Sequence, residues 1–286
     1  MQLTNKFIAF VDILGFSSAV ERIDNGGSLS LEALAEATRL LGSDDDIKAL
    51  RAHGPSICPS ASRVQHDVDF QLSQVSDCVV ISTEVSPSGA ITIIEHCWRA
   101  VFGLLRKGLM CRGHIRQGRI YHRDGVLIGP GYQEAASREK AVAAFKRDAD
   151  DRGTPFVELD TAVRDYVASC GDQCVVTMYE RMVKEDEEVA AIFPFKRFGK
   201  LAGFSIEAQF QDLDRNRARA SVEGARQRLL SLRSELRRHV DPANTRAVRK
   251  LEHYELALED ELRTFDDLDE MIEVLAQKVP GPPGKA

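Results

Sequence analysis

The first apolar run, KFIAFVDILGFSS at Lys6 to Ser18, is unbroken from Phe7 to Val11 and then carries one carboxylate, Asp12. Apolar character without alternation predicts a central strand buried on both faces, and Gly15 marks where the backbone turns away. Asp12 thus stands at a strand end, where a carboxylate is costly without a partner. Two roles are open for it from this stretch alone: capping the turn through its own hydrogen bonds, or binding something.

Further along, the period changes. SLEALAEATRLLG (Ser30 to Gly42) has an apolar stripe at helical spacing behind a capping Ser30 and ahead of a terminating Gly42, whereas Asp44 to Ser62 lacks periodicity and predicts a loop with at most one helical turn. DVDFQLSQVSDCVVISTE (Asp67 to Glu84) alternates, then turns near Ser76 and Asp77 into a second apolar strand, which predicts a hairpin with Asp77 at its tip. Ile91 to Lys107 is apolar on most faces, a helix lying across a sheet, with His96 and Trp98 as core residues. Leu109 to His122 returns to strand character and places Arg112, His114 and Arg116 on one face, three potential cations suited to polyphosphate or to solvent. Gly129 to Gly131 opens a helix through YQEAASREKAVAAFKRDA, and a strand at Pro155 to Leu159 precedes a short helix. The order β-α-β-β-α-β-β-α predicts an α+β fold with helices on a sheet.

Beyond Asp212 the pattern becomes helical in heptads. Leu251, Leu258, Phe265, Ile272 and Val279 recur every seven residues, and Asp241-Pro242 marks a break before them. Charge sharpens this picture. Asp212 to Lys250 holds eleven basic and five acidic residues, net +6, and Leu251 to Leu275 holds ten acidic residues and one Arg, net −9. The two halves predict an antiparallel helical hairpin with complementary charge, in preference to a basic helix that binds nucleic acid. The overall net charge of −6 lends bulk nucleic-acid binding no support.

Composition otherwise bounds the answer. A chain of 286 residues with 43% hydrophobic content can bury a sizeable core. No stretch has the roughly 20 apolar residues of a membrane span, and the N-terminus lacks a signal-peptide pattern, so a cytoplasmic protein without membrane contact is expected. The six cysteines are scattered; Cys170 and Cys174 are the one close pair, at a spacing that is not CxxC and without companions for zinc. The aromatic patch Phe193, Phe195 and Phe198 reads as core, ahead of an interface, whether or not it is a segment closing on the sheet.

If the hairpin lies beside the first strand, Asp12 and Asp77 approach each other. Two carboxylates without a basic partner repel, and a divalent cation with oxygen ligands resolves the repulsion. At this point the residues resemble a known family. FVDILGFS and QVSDCVVIS are similar to the two metal motifs of class III nucleotidyl cyclases, and RGHIRQG followed by IGPGYQEAAS resembles their later strand and helix, over about residues 5 to 160. The resemblance implies a class III cyclase-like mixed or antiparallel sheet. It also implies two divalent ions, Mn2+ or Mg2+, held by Asp12, Asp77 and the carbonyl of Ile13, and a nucleoside triphosphate cyclised to a 3′,5′-monophosphate and diphosphate. Backbone N–H groups at Gly15, Phe16 and Ser17 would hold phosphate oxygens.

Departures from the family pattern carry as much. Where purine cyclases have a base-reading Lys, this sequence has Ser73, and the accompanying Asp or Thr position is Val126. The transition-state Asn and Arg correspond to Gln133 and Ser137, with Arg138 one step late, about 100° around the helix, so Arg112 and Arg116 are the candidates to stabilise charge instead. This pattern is similar to the pyrimidine cyclases of the Pycsar antiphage system. That resemblance implies UTP as first substrate and CTP as second, a homodimer with shared active sites, and an effector that responds to the cyclic nucleotide by killing the cell. Two alternatives stay open: an adenylate cyclase with relocated base contacts, and an inactive cyclase-like binding module. The expected organisation is a catalytic domain at 1–208, the hairpin at 209–279 and a disordered tail at 280–286.

Overall fold

The first apolar run forms the central strand that its pattern predicts. In the computed structural model, which describes residues 1–26, 30–53, 67–148, 151–186, 189–196 and 215–278, β1 (Thr4–Ile13) leads into α1 (Phe16–Asp24), α2 (Leu31–Arg39) and α3 (Asp44–His53). The hairpin β2 (Gln71–Val75) and β3 (Cys78–Glu84) follows, then α4 (Pro87–Leu105), β4 (Cys111–Arg123), β5 (Val126–Ile128) and α5 (Pro130–Glu139). The chain continues through β6 (Val157–Leu159), α6 (Thr161–Ser169), α7 (Gln173–Met182), β7 (Val183–Glu185), β8 (Ala190–Ile192), α8 (Arg215–His239) and α9 (Thr245–Lys278). The sheet order is β2-β3-β1-β4-β6-β8-β7, with β5 paired to β4. β1 is antiparallel to both neighbours, and β4 and β6 are parallel, so the sheet is mixed and the fold α+β. Among the described residues, no helix is long and apolar enough to cross a membrane.

The two faces of β1 do different work. Phe7, Ala9, Val11 and Ile13 point into the main core, against α4, whose Ser86 cap and Pro87 start it four residues before the apolar run suggests. Ile8, Phe10 and Asp12 face the other way, beneath α5, where Ile8, Val80, Ile120 and Ala135 form a smaller cluster. α5 comes this close because glycines meet: a Cβ on Gly118 of β4 would lie 2.9 Å from Gly131 Cα. Any side chain there would lift the helix off the sheet.

Three expectations change. The stretch from Asp44 is the ten-residue helix α3 and not a loop; Asp46 accepts from Ser43 N–H and Oγ at 2.9 Å each, and three aspartates in the first turn suit the helix dipole. The rest of that stretch, residues 54–62 with Cys58, lies outside the described residues. The helix opened at Gly129 stops at Glu139 although alanines continue, because Val142 O accepts from Gly153 N and Thr154 N at 2.7 and 3.1 Å and Ala143 N donates to Glu158. Tertiary hydrogen bonds there override helix propensity. The cationic face of β4 is also less cationic than its sequence: His114 is buried and pushed down to about 4, first by burial, so it is neutral.

The C-terminal helices form the expected antiparallel pair. α8 buries Ala218, Val222, Ala225, Leu229, Leu232 and Leu236, and α9 buries Leu251, Leu258, Phe265 and Ile272. Arg226 bonds Asp266 and Asp269 at 3.0 and 2.8 Å, and Arg233 bonds Glu259 at 2.9 Å, so basic and acidic faces meet. Exposed pairs of this kind set register more than stability. The apolar seam belongs to the same cluster as the sheet core, including Phe193 and Phe195. Phe198, Val279 and the tail 280–286 lie outside the described residues. Phe265 is fully buried in that seam, and Phe265→Ala is expected to cost about 3–5 kcal/mol in urea unfolding; a loss below about 1 kcal/mol would contradict this packing.

Candidate active site

β1 and the β2–β3 hairpin bring the two carboxylates together. Asp12 lies one residue from the end of β1, opposite Cys78 of β3 and Arg112 of β4. Asp77 lies in the two-residue turn between β2 and β3, where Ser76 adopts a positive φ of 56°, and Ile13 N donates to Asp77 O at 3.0 Å. That backbone bond ties the end of one strand to the tip of the other. The carboxyl groups are close enough to share a hydrogen bond, and Asp12 is pushed up to about 7 by burial first, then by the charges of Asp77 and Glu139, with Arg112 opposing. The charge at this corner is therefore negative and poorly compensated.

Such a corner suits a hard cation. The Cys78 thiol beside it is pushed up to about 11 by burial and by both aspartates, so it stays protonated and the donors on offer are oxygens. Among the described residues, no group of three or more His, Cys, Asp or Glu side chains is gathered at metal-ligand spacing. Two carboxylates with backbone, water or substrate oxygens are the set available, and it fits Mg2+ or Mn2+, which keep several such ligands.

Gly15, with φ 76°, makes the turn from β1 into α1, and no side chain caps that helix start. Gly15 and Ser17 are exposed and Phe16 half-buried, so the first-turn N–H groups open to solvent three to five residues beyond Asp12. Arg112 and Arg116 are placed less freely. Arg112 is 9% exposed, forms an ion pair with Glu139, itself 2% exposed, and donates to Gly153 O at 3.5 Å. Arg116 pairs with Glu134 at 2.5 Å. Of the two, Arg112 is the one opposite Asp12. Gln133 and Ser137 lie on the side of α5 opposite to the buried Ala135 and Glu139, whereas Arg138, also exposed, stands about 100° further round the helix and its charge is felt at His114.

Ser73 belongs to a polar chain on the α5 side of the sheet. Its Oγ is 3.0 Å from His122 Nε2, and His122 Nδ1 is 2.9 Å from Ser82 Oγ. His122 is pushed down to about 4, chiefly by burial and then by Lys6, so a neutral imidazole holds the Ser73 hydroxyl.

Three residues of this region escape the sequence motifs. Glu139 had a readable signal, a charged residue continuing the buried Gly131-Ala135 stripe of α5, and His122 extends the alternate positions of β4 that begin at Arg112. The third, Lys250 of α9, had none. No protein-family model matches this chain, and no curated protein matches it in sequence.

Proposed function

We propose that this protein is a metal-dependent nucleotide cyclase acting on a pyrimidine nucleoside triphosphate, UTP or CTP. The observation that carries the proposal is the meeting of Asp12 and Asp77 at the end of β1, with the open start of α1 beside them. Divalent ions at this corner would supply charge neutralisation and a more acidic ribose 3′-hydroxyl. The chain's own residues do the rest. Asp12 and Asp77 supply carboxylate oxygens once the proton that Asp12 retains has been displaced, and the N–H groups of Gly15 to Ser17 receive phosphate oxygens. The 3′-hydroxyl gives its proton to water as its oxygen bonds to the α-phosphorus, the bond from the α-phosphorus to the α,β-bridging oxygen breaks, and diphosphate leaves with the negative charge.

Ser73 supports a pyrimidine substrate. A neutral hydroxyl held by a neutral imidazole replaces the Lys of purine cyclases, so the position has no fixed cation for purine recognition. The outward aspect of Gln133 and Ser137 supports a homodimer, because one chain directs that face of α5 away from its own Asp12. The product would act as a messenger for a cell-killing effector in antiphage defence, as the resemblance implies. A second reading, an inactive cyclase-like module, is favoured by the commitment of Arg112 to Glu139.

Incubation with Mn2+ and each of the four labelled nucleoside triphosphates separates these readings. Cyclic UMP or cyclic CMP is the expected product. Turnover of ATP or GTP alone would refute the pyrimidine assignment, and no turnover of any would leave the inactive module.

A further inference from the structure

The hairpin does not stop at covering the core. Residues near the start of α9 grip residues 147–148 and 151–155: Arg249 bonds Asp151 at 2.5 Å and Asp148 at 3.2 Å, Glu252 pairs with Arg147, His253 is 3.5 Å from Asp151, and Tyr254 Oη donates to Pro155 O. The same segment touches the site. Gly153 O accepts from Arg112, and a methyl on Gly153 would run into that guanidinium. One turn before Tyr254, on the same helical face, stands Lys250.

Lys250 is half-buried, and no hydrogen bond or ion pair holds its ammonium among the described residues. Its charge is felt at Arg112, Glu139 and Asp12, and burial first, then Arg112 and Arg246, push it down to about 8. The contrast with Lys6 is instructive: Lys6 is more deeply buried, but Asp69 lies 2.7 Å from its ammonium. A half-buried lysine among other cations and without a partner is poorly explained by stability, because burying an uncompensated charge is unfavourable. It is well placed for a ligand that carries more negative charge than the carboxylates beside it.

We propose that Lys250 is a polyphosphate-binding residue of this site, so that α9 forms one wall of it and the ligand class is a metal-bound di- or triphosphate chain. The proposal deepens the cyclase reading but rests only on phosphate binding at the Asp12–Asp77 corner and not on cyclisation. It also gives the hairpin a route into the site, since any movement of α9 relative to residues 151–155 moves Lys250.

The test is calorimetric titration of the full chain with inorganic tripolyphosphate in the presence of Mn2+. Lys250→Met keeps the aliphatic stem and is expected to weaken binding by about tenfold or more, whereas Lys250→Arg stays within about threefold because the charge remains. Lys48→Met, which removes an exposed lysine paired with Asp45 on α3, controls for overall charge and is expected to bind like the wild type. An unfolding midpoint of Lys250→Met at or above the wild-type value would show that the variant is folded. Should it instead unfold more easily, the ratio between Lys250→Arg and Lys250→Gln carries the comparison. Equal affinity of the wild type and the Met or Gln variant, an equal loss in Lys48→Met, or no tripolyphosphate binding by the wild type would each overturn the proposal. Failure of the cyclase reading is seen separately, as absence of cyclic product from the wild type.

Discussion

Asp12→Asn is expected to abolish turnover, by at least about 1,000-fold, which corresponds to about 4 kcal/mol of lost transition-state stabilisation. It should also remove the rise in unfolding midpoint that Mn2+ is expected to give the wild type, yet make the metal-free chain more stable near pH 8. The last two effects have one cause. Asp12 ordinarily titrates at 3.8 and is raised here to about 7, so the folded state holds its proton more tightly than the unfolded chain does. The stability associated with that proton is fully present below pH 3.8 and is lost as pH rises through about 7. Asn carries no such charge, so wild type and variant should agree near pH 4 and diverge above it, with the wild type less stable. On the proposed function, a divalent ion is expected to reverse the wild type's disadvantage by replacing the proton. Thermal unfolding between pH 4 and 8, with and without Mn2+, checks each part. Retention of the Mn2+ shift by Asp12→Asn would remove Asp12 from the cation site.

The second large effect concerns Arg112 and Glu139. Both are buried, and they are each other's ion-pair partner beside Asp12. Breaking a buried pair from one side leaves an uncompensated charge, at about 3–5 kcal/mol. Arg112→Met is therefore expected to destabilise by that amount in urea unfolding, and Glu139→Gln by a comparable amount. The double variant should lose less than the sum of the singles, because neither charge is then stranded. Additive losses, or single losses below about 1 kcal/mol, would show that the pair is not coupled. The pair matters beyond stability: Glu139 raises Asp12 and Arg112 opposes it, so the two single changes should move the pH at which Mn2+ binding sets in by opposite amounts. Glu139→Gln would lower it and Arg112→Met raise it.

Much of this arrangement was legible residue by residue. The apolar run of β1, the turn at Ser76 and Asp77, the alternation of Arg112, His114 and Arg116, and the break at Asp241-Pro242 are local patterns with local physical causes, and each element stands where its pattern placed it. The heptad spacing of Leu251, Leu258, Phe265 and Ile272 likewise foretold the seam of α9. Less legible was α3, because its helix is capped and charge-stabilised rather than apolar on one face. The end of α5 was hidden for a different reason: hydrogen bonds from residues 153, 154 and 158 stop a helix that local propensity would extend.

By itself, the sequence determined the first strands and the long helices, one carboxylate near a strand end and another at a hairpin tip, an uncharged Ser73 and the opposed charges of the hairpin, because each depends on neighbours within a few positions or on residue type alone. Tertiary structure alone decided which groups share a field. Arg112 is bound to Glu139, Ser73 is held through His122, and Lys250, 238 positions after Asp12 in the chain, comes to lie in the same electrostatic neighbourhood. Charge and burial act through space, and only the folded chain sets those separations.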